Sequence, residues 1–129
     1  MYTPQNNVQI LASADSGKTS IIWKWNSTEE TYTSFQLIPT DNAFHWKYFE
    51  IDGRPFLSVA NYGGQKSGHK TYSMIYQWHR KKRKFIVKQH LLTYGARSME
   101  HFQIDSDHFL IVANSWPPTR ESYSLVKKM

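Results

Sequence analysis

The sequence predicts an all-β fold built from consecutive four-stranded antiparallel sheets, and three observations support this prediction. Residues 20–61 and 73–114 are two copies of one 42-residue pattern, aligned without a gap and identical at fourteen positions. A repeat of this size is typical of architectures in which each unit buries its apolar face against its neighbours. Short β-prone runs alternate with turn signals along both copies. No stretch shows a sustained 3.6-residue apolar period flanked by helix caps.

Four β-prone runs define one unit of the repeat, at residues 46–51, 56–61, 72–78 and 85–93. Asp52-Gly53, between the first two runs, is a strong signal for a two-residue hairpin. The nearly continuous apolar run Phe56-Leu57-Ser58-Val59-Ala60 suits a strand that is covered on both faces. Four antiparallel strands joined by turns are the anatomy of a β-propeller blade.

The same register divides the chain into three blades. Residues 1–41 are expected to supply the last three strands of one blade, residues 42–93 a complete blade, and residues 94–129 the first three strands of the next. The six remaining strands are predicted at residues 8–13, 20–25, 32–40, 99–104, 108–114 and 123–126. One complete blade and two partial blades do not close a ring, so we expect the chain to be a fragment of a longer protein.

Six repeated aromatic residues form the predicted core of the blades. Trp25 and Trp78 are expected to occupy equivalent positions and to pack between blades, because they recur at the same place in both copies. The other four are Phe49, Phe102, Phe56 and Phe109.

Composition restricts the classes of function and compartment. The 129 residues include no cysteine, which excludes disulfides, thiolate metal sites and cysteine nucleophiles. The polar N-terminus does not have the pattern of a signal peptide, and no apolar run reaches membrane-spanning length. Aromatic residues make up 16% of the chain, so a packed core is expected.

In both copies the pattern reads S-x-I-aromatic-x-W, Q-x-x-x-T-x-x-A, F-x-I-D and F-L-x-V-A-N. This ordered set resembles the EAR (epitempin) repeat of the leucine-rich glioma-inactivated proteins, of the thrombospondin-type laminin G domain and EAR repeat proteins, and of a very large adhesion G-protein-coupled receptor. The resemblance extends over residues 8–126. Asn42 departs from the pattern, because the second copy has Gly95 at the equivalent position. Kelch and WD-type propellers match less of the pattern.

The resemblance implies a seven-bladed propeller that acts as a non-catalytic interaction module for an extracellular or cell-surface protein, in adhesion or signalling. The signal peptide would then lie outside this sequence. The resemblance implies no cofactor. The alternatives are a propeller enzyme, or a glycan-binding propeller that uses the central channel or a basic turn. No Ser-His-Asp order, phosphate loop or metal motif supports the enzyme.

Loops that differ between the copies are the expected binding surface, because variable loops on a rigid scaffold carry recognition. They lie at residues 62–71 and 115–122 and at the links 40–43 and 93–96. The candidate contact residues are Tyr62, Gln65, Lys66, His69, Trp116 and Arg120.

A second candidate surface is the run of basic residues in the turn before the fourth strand, formed by Arg80, Lys81, Lys82, Arg83 and Lys84. These residues account for much of the net charge of +6 and suggest a polyanion such as heparan sulfate. The alternative is a solvated hairpin turn whose charges discourage edge-to-edge pairing. Nucleic acid is not expected as a partner, because the aromatic side chains that would stack on bases are needed for the core.

The polar residues do not predict a metal site. The six histidines are scattered, with no tight pair at ligand spacing, and we expect surface or core roles for them. Asp52 and Asp105 recur at one turn position, where turn chemistry is favoured over calcium binding. Asn26-Ser27-Thr28 is a formal N-glycosylation sequon in a polar turn.

Overall fold

The computed structural model describes residues 10–12, 17–64, 66 and 68–129. Most of these residues belong to ten antiparallel strands: β1 (Ile10–Ala12), β2 (Thr19–Asn26), β3 (Thr31–Pro39), β4 (Ala43–Ile51), β5 (Arg54–Asn61), β6 (Lys70–His79), β7 (Lys84–Tyr94), β8 (Ala96–Ile104), β9 (Asp107–Asn114) and β10 (Ser124–Lys128). A short 3-10 helix spans Arg120–Tyr123. No α-helix occurs in the part of the chain that the structure describes.

The strands form three sheets, with orders β1-β2-β3, β4-β5-β6-β7 and β8-β9-β10, which we call the first, second and third sheets. This arrangement confirms the predicted all-β fold of consecutive antiparallel blades. All ten predicted strands are found, with ends shifted by a few residues; at the first of them, only residues 10–12 are described. The blade boundaries after residues 41 and 93 and the seven-bladed ring stay predictions.

The two copies share turns and irregularities as well as strands. The hairpin at Asp52-Gly53 has φ of 52° and 76°, the left-handed geometry that a tight two-residue hairpin turn requires. Asp105 adopts φ of 54° at the equivalent turn. The strand register shifts between Ala43 and His45 and again between Ala96 and Ser98. Each shift is a β-bulge, which locally re-aims the side chains.

The departure at Asn42 has a backbone explanation. Asn42 and Gly95 both have positive φ, 56° and 63°, at the link between consecutive sheets. Asparagine tolerates the left-handed region better than most residues that carry a Cβ. The pattern therefore specifies a conformation at this position, and either residue satisfies it.

Buried polar side chains tie the outer strands and the links together. The Ser20 and Thr40 hydroxyls lie 2.8 Å apart, and those of Ser73 and Thr93 lie 2.7 Å apart, all of them buried. Asn61 accepts a hydrogen bond from the Asp41 N–H and donates one to the Tyr72 carbonyl oxygen. Asn114 repeats this role with Tyr94 and Ser122.

Asn61 does not act as a local cap at the end of its strand. Asparagine side chains often bond to neighbouring backbone groups, but the Oδ1 of Asn61 accepts the N–H of Asp41, twenty residues away. Its side chain is only 2% exposed, so its polar atoms need protein partners.

Apolar side chains fill the two spaces between the sheets. The first sheet packs Ile22 and Ile38 against Leu57, Val59 and other residues of the second sheet. The opposite face of the second sheet packs against the third sheet, in a cluster that includes Phe56, Ala60, Met99, Leu110 and Val112. The second sheet is therefore covered on both faces, as the sequence predicted for residues 56–60.

The repeated aromatic residues occupy equivalent positions. Trp25 contacts Tyr32 edge to face at 5.1 Å and 65°, and Trp78 contacts Phe85 at 5.1 Å and 70°. Trp78 also stacks at 6.0 Å on Phe35 of the first sheet. It therefore packs between blades as predicted, whereas the ring contact described for Trp25 lies within its own sheet.

The four phenylalanines form two stacked pairs across neighbouring strands. Phe49 stacks on Phe56 with ring centroids 5.4 Å apart, and Phe102 stacks on Phe109 at 5.2 Å. Each pair joins the first two strands of its sheet at registered positions.

Gln36 links the first sheet to the second through backbone hydrogen bonds. Its Nε2 donates to the Phe85 carbonyl oxygen at 2.8 Å, and its Oε1 accepts the Phe85 N–H at 2.9 Å. A carboxamide carries the donor and the acceptor of a peptide group, so Gln36 covers the edge strand β7 much as a neighbouring strand would.

The strand register defines two ends of the stacked sheets. At the loop end, Ala43 pairs with Asn61 and Lys70 pairs with Tyr94, so the links between sheets lie beside the loops at 62–69 and 115–119. At the hairpin end are the turns at 27–30, 52–53, 80–83 and 105–106.

Candidate interaction site at the loop end

Backbone hydrogen bonds place three predicted contact residues beside the two links that join consecutive sheets. Tyr62 directly follows β5, and its N–H donates to the Asn42 carbonyl oxygen. Trp116 follows β9, and its N–H donates to the Tyr94 carbonyl oxygen. His69 precedes β6, and its carbonyl oxygen accepts the Gly95 N–H at 2.8 Å.

These three side chains form one aromatic cluster. Trp116 donates its indole N–H to the Tyr62 hydroxyl oxygen at 2.6 Å. His69 lies against both rings, 4.5 Å from the Tyr62 centroid and 5.5 Å from that of Trp116, and it is nearly parallel to the indole at 16°. Residues 54 positions apart in the sequence are thus joined by stacking and by one short hydrogen bond.

Two residues at the β-bulges complete the cluster. Phe44, bulged from β4, stacks on Tyr62 with centroids 4.3 Å apart and ring planes within 10°. Arg97, at the equivalent bulge of β8, holds its guanidinium carbon 5.7 Å from the Tyr62 centroid. We call Phe44, Tyr62, His69, Arg97 and Trp116 the rim cluster.

Gly95 makes room for the rim cluster. A Cβ at this position would lie 2.7 Å from Cδ1 of Trp116, closer than such contacts occur, and the backbone φ is +63°. Glycine therefore satisfies two requirements here, a left-handed backbone and an open space for the indole. Asn42 occupies the equivalent position at the previous link. There the residue has only to adopt a positive φ, which asparagine tolerates.

Hydrogen bonds and neighbouring cations lower the pKa of two side chains at this end. The hydrogen bond from Trp116 lowers the pKa of Tyr62, and Arg97 adds to this effect against the opposing effect of burial. Asp41 is held by Lys18 at 2.7 Å and by the Thr71 hydroxyl at 2.8 Å. The hydrogen bond from Lys18 is the largest cause of the lowered pKa of Asp41.

The rim cluster combines a rigid arrangement with exposed apolar area. Trp116 is 57% exposed and Phe44 44% exposed, although both rings are held by neighbours. Aromatic side chains that are already held in place lose little conformational entropy when a partner covers them. Tryptophan, tyrosine and arginine are also the residue types that most often dominate binding energy at protein interfaces.

The structure assembles some predicted contact residues and leaves others apart. Tyr62, His69 and Trp116 come together, and their part in binding stays a prediction. Lys66 and Arg120 are exposed, but no described contact joins them to the rim cluster. Gln65 lies outside the described residues.

Sequence reasoning missed Phe44 and Arg97, which belong to strands. A signal was present in their positions, which differ strongly between two otherwise matching copies. Such a difference in a strand indicates a side chain that does not face the shared core.

The basic turn forms the exposed tip of the β6–β7 hairpin, at the opposite end from the rim cluster. Residues 80–84 are all exposed. The ion pairs that the structure describes join Lys18 to Asp41, Lys47 to Glu100 and Lys128 to Asp107. None of these pairs includes Lys81, Lys82 or Lys84, so the positive charge of these side chains is directed to solvent.

The histidines depart from the sequence expectation at one place. His101 Nε2 and His108 Nδ1 lie 2.8 Å apart, because the hairpin at 105–106 brings the two strands together. His101 also stacks on Phe49 of the second sheet at 4.6 Å. The seven-residue spacing conceals this proximity, which depends on antiparallel pairing across the turn.

No metal site is found among the described residues. No group of three or more His, Cys, Asp or Glu side chains is placed there to hold an ion. Asp52 and Asp105 are exposed turn residues with left-handed φ, in agreement with the turn interpretation. No described helix is long and apolar enough to cross a bilayer.

Comparisons with known proteins agree with the repeat and the fold. The EPTP domain model matches residues 33–79 and 84–126. The chain is 42% identical over 81% of its length to the human thrombospondin-type laminin G domain and EAR repeat-containing protein, and 41% identical over 80% to the mouse protein. It is 32% identical over 81% to mouse leucine-rich repeat LGI family member 3.

The chain spans only 15% of the length of the first two relatives and 19% of the third. The match with the EPTP model nevertheless covers more than half of the chain, in two consecutive segments. The chain therefore belongs to the EPTP domain family.

Proposed function

We propose that this chain is a non-catalytic module for binding an extracellular or cell-surface protein, and that the rim cluster makes the contact. The observation that carries the proposal is the exposed, pre-organised aromatic group of Phe44, Tyr62 and Trp116 beside Arg97. The proposed role in adhesion or signalling is supported by similarity to an EAR repeat-containing protein and to an LGI family member.

The chemistry of the rim cluster supports binding over catalysis. Tyr62 and Trp116 use their polar atoms on each other, and no described residue there pairs a nucleophile with a base. The cluster offers ring faces and a guanidinium, which suit an apolar or aromatic anchor next to an acidic group. An enzyme would need titratable groups that converge on a substrate.

The proposal is tested by measuring how the labelled, full chain binds to a panel of purified extracellular domains and to intact cells. Replacing Phe44 and Trp116 together with alanine is expected to weaken the binding at least tenfold, because a central aromatic residue often contributes 2 kcal/mol or more. Circular dichroism and thermal unfolding show whether the variant keeps its fold.

A matched control changes the opposite end of the sheets. The double variant Lys81→Gln and Lys82→Gln also alters two exposed residues, yet it is expected to leave binding to the purified extracellular domains unchanged. Equal loss in both variants, or no loss in the rim variant, would contradict the proposal.

A second function is favoured by the exposed basic turn. The ammonium groups of Lys81, Lys82 and Lys84 share one hairpin and take part in none of the described ion pairs, so they would attract the sulfates of heparan sulfate. The double variant Lys81→Gln and Lys82→Gln is expected to elute from immobilised heparin at a clearly lower salt concentration. Unchanged elution would indicate that the turn is only a solvated hairpin.

A further inference from the structure

We propose that Asn26 is an acceptor for an N-linked glycan, attached at the hairpin end of the first sheet. The proposal rests on the extracellular location proposed above. Asn26 is the last residue of β2, and Ser27 and Thr28 complete the sequon Asn-Ser-Thr at the beginning of the turn. Ser27, Thr28, Glu29 and Glu30 are all exposed, so a bulky, hydrated group has room at this tip.

The side chain of Asn26 is already held in the geometry of an Asx turn. Its Oδ1 accepts the Thr28 N–H at 3.0 Å and the Glu29 N–H at 3.2 Å. These bonds hold the carboxamide at the tip and draw electron density towards Oδ1. No described hydrogen bond involves Nδ2, the atom that would carry the sugar.

The second copy shows which part of this arrangement the fold requires. His79 occupies the equivalent position, and its Nδ1 accepts the Lys82 N–H at 3.0 Å. The turn therefore needs an acceptor at this place, and an imidazole supplies it as well as a carboxamide does. The fold therefore explains why Asn26 presents an acceptor, Oδ1, at this position. It does not require the Nδ2 group.

The hydroxyl of Thr28 is likewise not needed by the fold. Thr28 makes no described side-chain hydrogen bond, and Lys81 stands at the equivalent position of the second copy. A sequon needs this hydroxyl two residues after the asparagine. The two features that the turn leaves unused, Nδ2 of Asn26 and the Thr28 hydroxyl, are the two that glycan transfer requires.

The transfer step has a simple atom balance. Nδ2 of Asn26 forms a bond to the anomeric carbon of a lipid-linked oligosaccharide pyrophosphate and loses one proton. The bond from that carbon to the pyrophosphate oxygen breaks, and the lipid pyrophosphate leaves. No oxidant or metal redox change is involved. Because the glycan would lie at the hairpin end, the rim cluster at the loop end stays accessible.

The test expresses the full chain behind a heterologous secretion leader in mammalian cells, so that it does not depend on native targeting. We expect one glycan-sized increase in mass that peptide N-glycosidase removes, converting Asn26 to aspartate. Asn26→Gln and Thr28→Ala should each abolish the shift, whereas Thr28→Ser should retain it.

A matched control moves the sequon to the second copy. The variant His79→Asn with Lys81→Thr places Asn-Arg-Thr on the equivalent turn and should add a second shift of the same size. Because the transfer occurs on entry into the secretory pathway, the assay stays informative even for a variant that folds poorly. A chain that enters that pathway and remains unmodified at Asn26 overturns the proposal, whatever the result of the partner-binding test.

Discussion

Strands β5 and β9 carry nearly the same sequence, Phe-Leu-Ser-Val-Ala-Asn and Phe-Leu-Ile-Val-Ala-Asn, but β5 is buried on both faces and β9 on one. Every residue from Phe56 to Asn61 of β5 is buried. In β9 burial alternates, so that Leu110, Val112 and Asn114 are buried while Ile111 is 36% exposed.

The difference lies in the neighbours of the two strands and not in the strands themselves. β5 belongs to the second sheet, which is packed between two others, whereas the third sheet has one neighbour among the described residues. The comparison shows that the pattern encodes a strand suited to cover on both faces. The burial that each residue attains depends on which sheets are stacked beside it.

The largest expected effect comes from placing a charge at the position where the two strands differ. Ser58→Lys should abolish folding, because burying an ammonium at a site with 0% exposure costs several kcal/mol. Ile111→Lys, at the equivalent position, should change the midpoint of urea denaturation only slightly, since its side chain reaches solvent. Similar losses of stability in both variants would show that the open face of β9 is covered after all.

An intermediate effect is expected at the two equivalent glutamines. Gln36→Ala removes two hydrogen bonds to the edge of β7 and should lower the free energy of unfolding by about 1–3 kcal/mol. Gln89→Ala should cost much less, because no described residue accepts or donates to the Gln89 side chain. Denaturant unfolding of both variants gives the difference directly. Equal losses of unfolding free energy would contradict the role of Gln36 in covering the edge strand β7.

The smallest expected effect is a pH dependence of stability that arises at only one of the two interfaces between consecutive sheets. Among the described residues, only the interface of the second and third sheets includes a histidine pair, His101 with His108. Burial is the largest cause that lowers the pKa of His101, and the charges of His108 and Lys47 add to it. As the pH falls, His101 of the unfolded chain binds a proton near the ordinary pKa of 6.5, whereas His101 of the folded chain binds it only at a lower pH. Stability should therefore decrease as the pH falls below about 6.5.

Thermal unfolding between pH 7.5 and 5.5 checks this sign. His101→Gln should reduce the pH dependence while leaving the hairpin intact. A melting temperature that rises as the pH falls, or one whose pH dependence is unchanged in the variant, would show that His101 does not control it.

Much of the fold could be predicted because its determinants are local or repeated. Turn residues such as Asp52-Gly53 determine the hairpins, and the copies at 20–61 and 73–114 confirm each other position by position. The rim cluster could be predicted only in part. Its loop members Tyr62, His69 and Trp116 were found from variation between the copies. Phe44 and Arg97 vary as well, but only the two β-bulges place these strand residues beside the loops.

The sequence by itself determined the strands, the order of the sheets and the residues that repeat, because β-propensity, turn chemistry and period are properties of the chain. Only the tertiary structure decided which atoms meet: Trp116 with Tyr62, Gln36 with Phe85, and His101 with His108 and Phe49. These contacts arise from the stacking of sheets and the register of hairpins. Both depend on distances between segments remote in sequence, which no local pattern records.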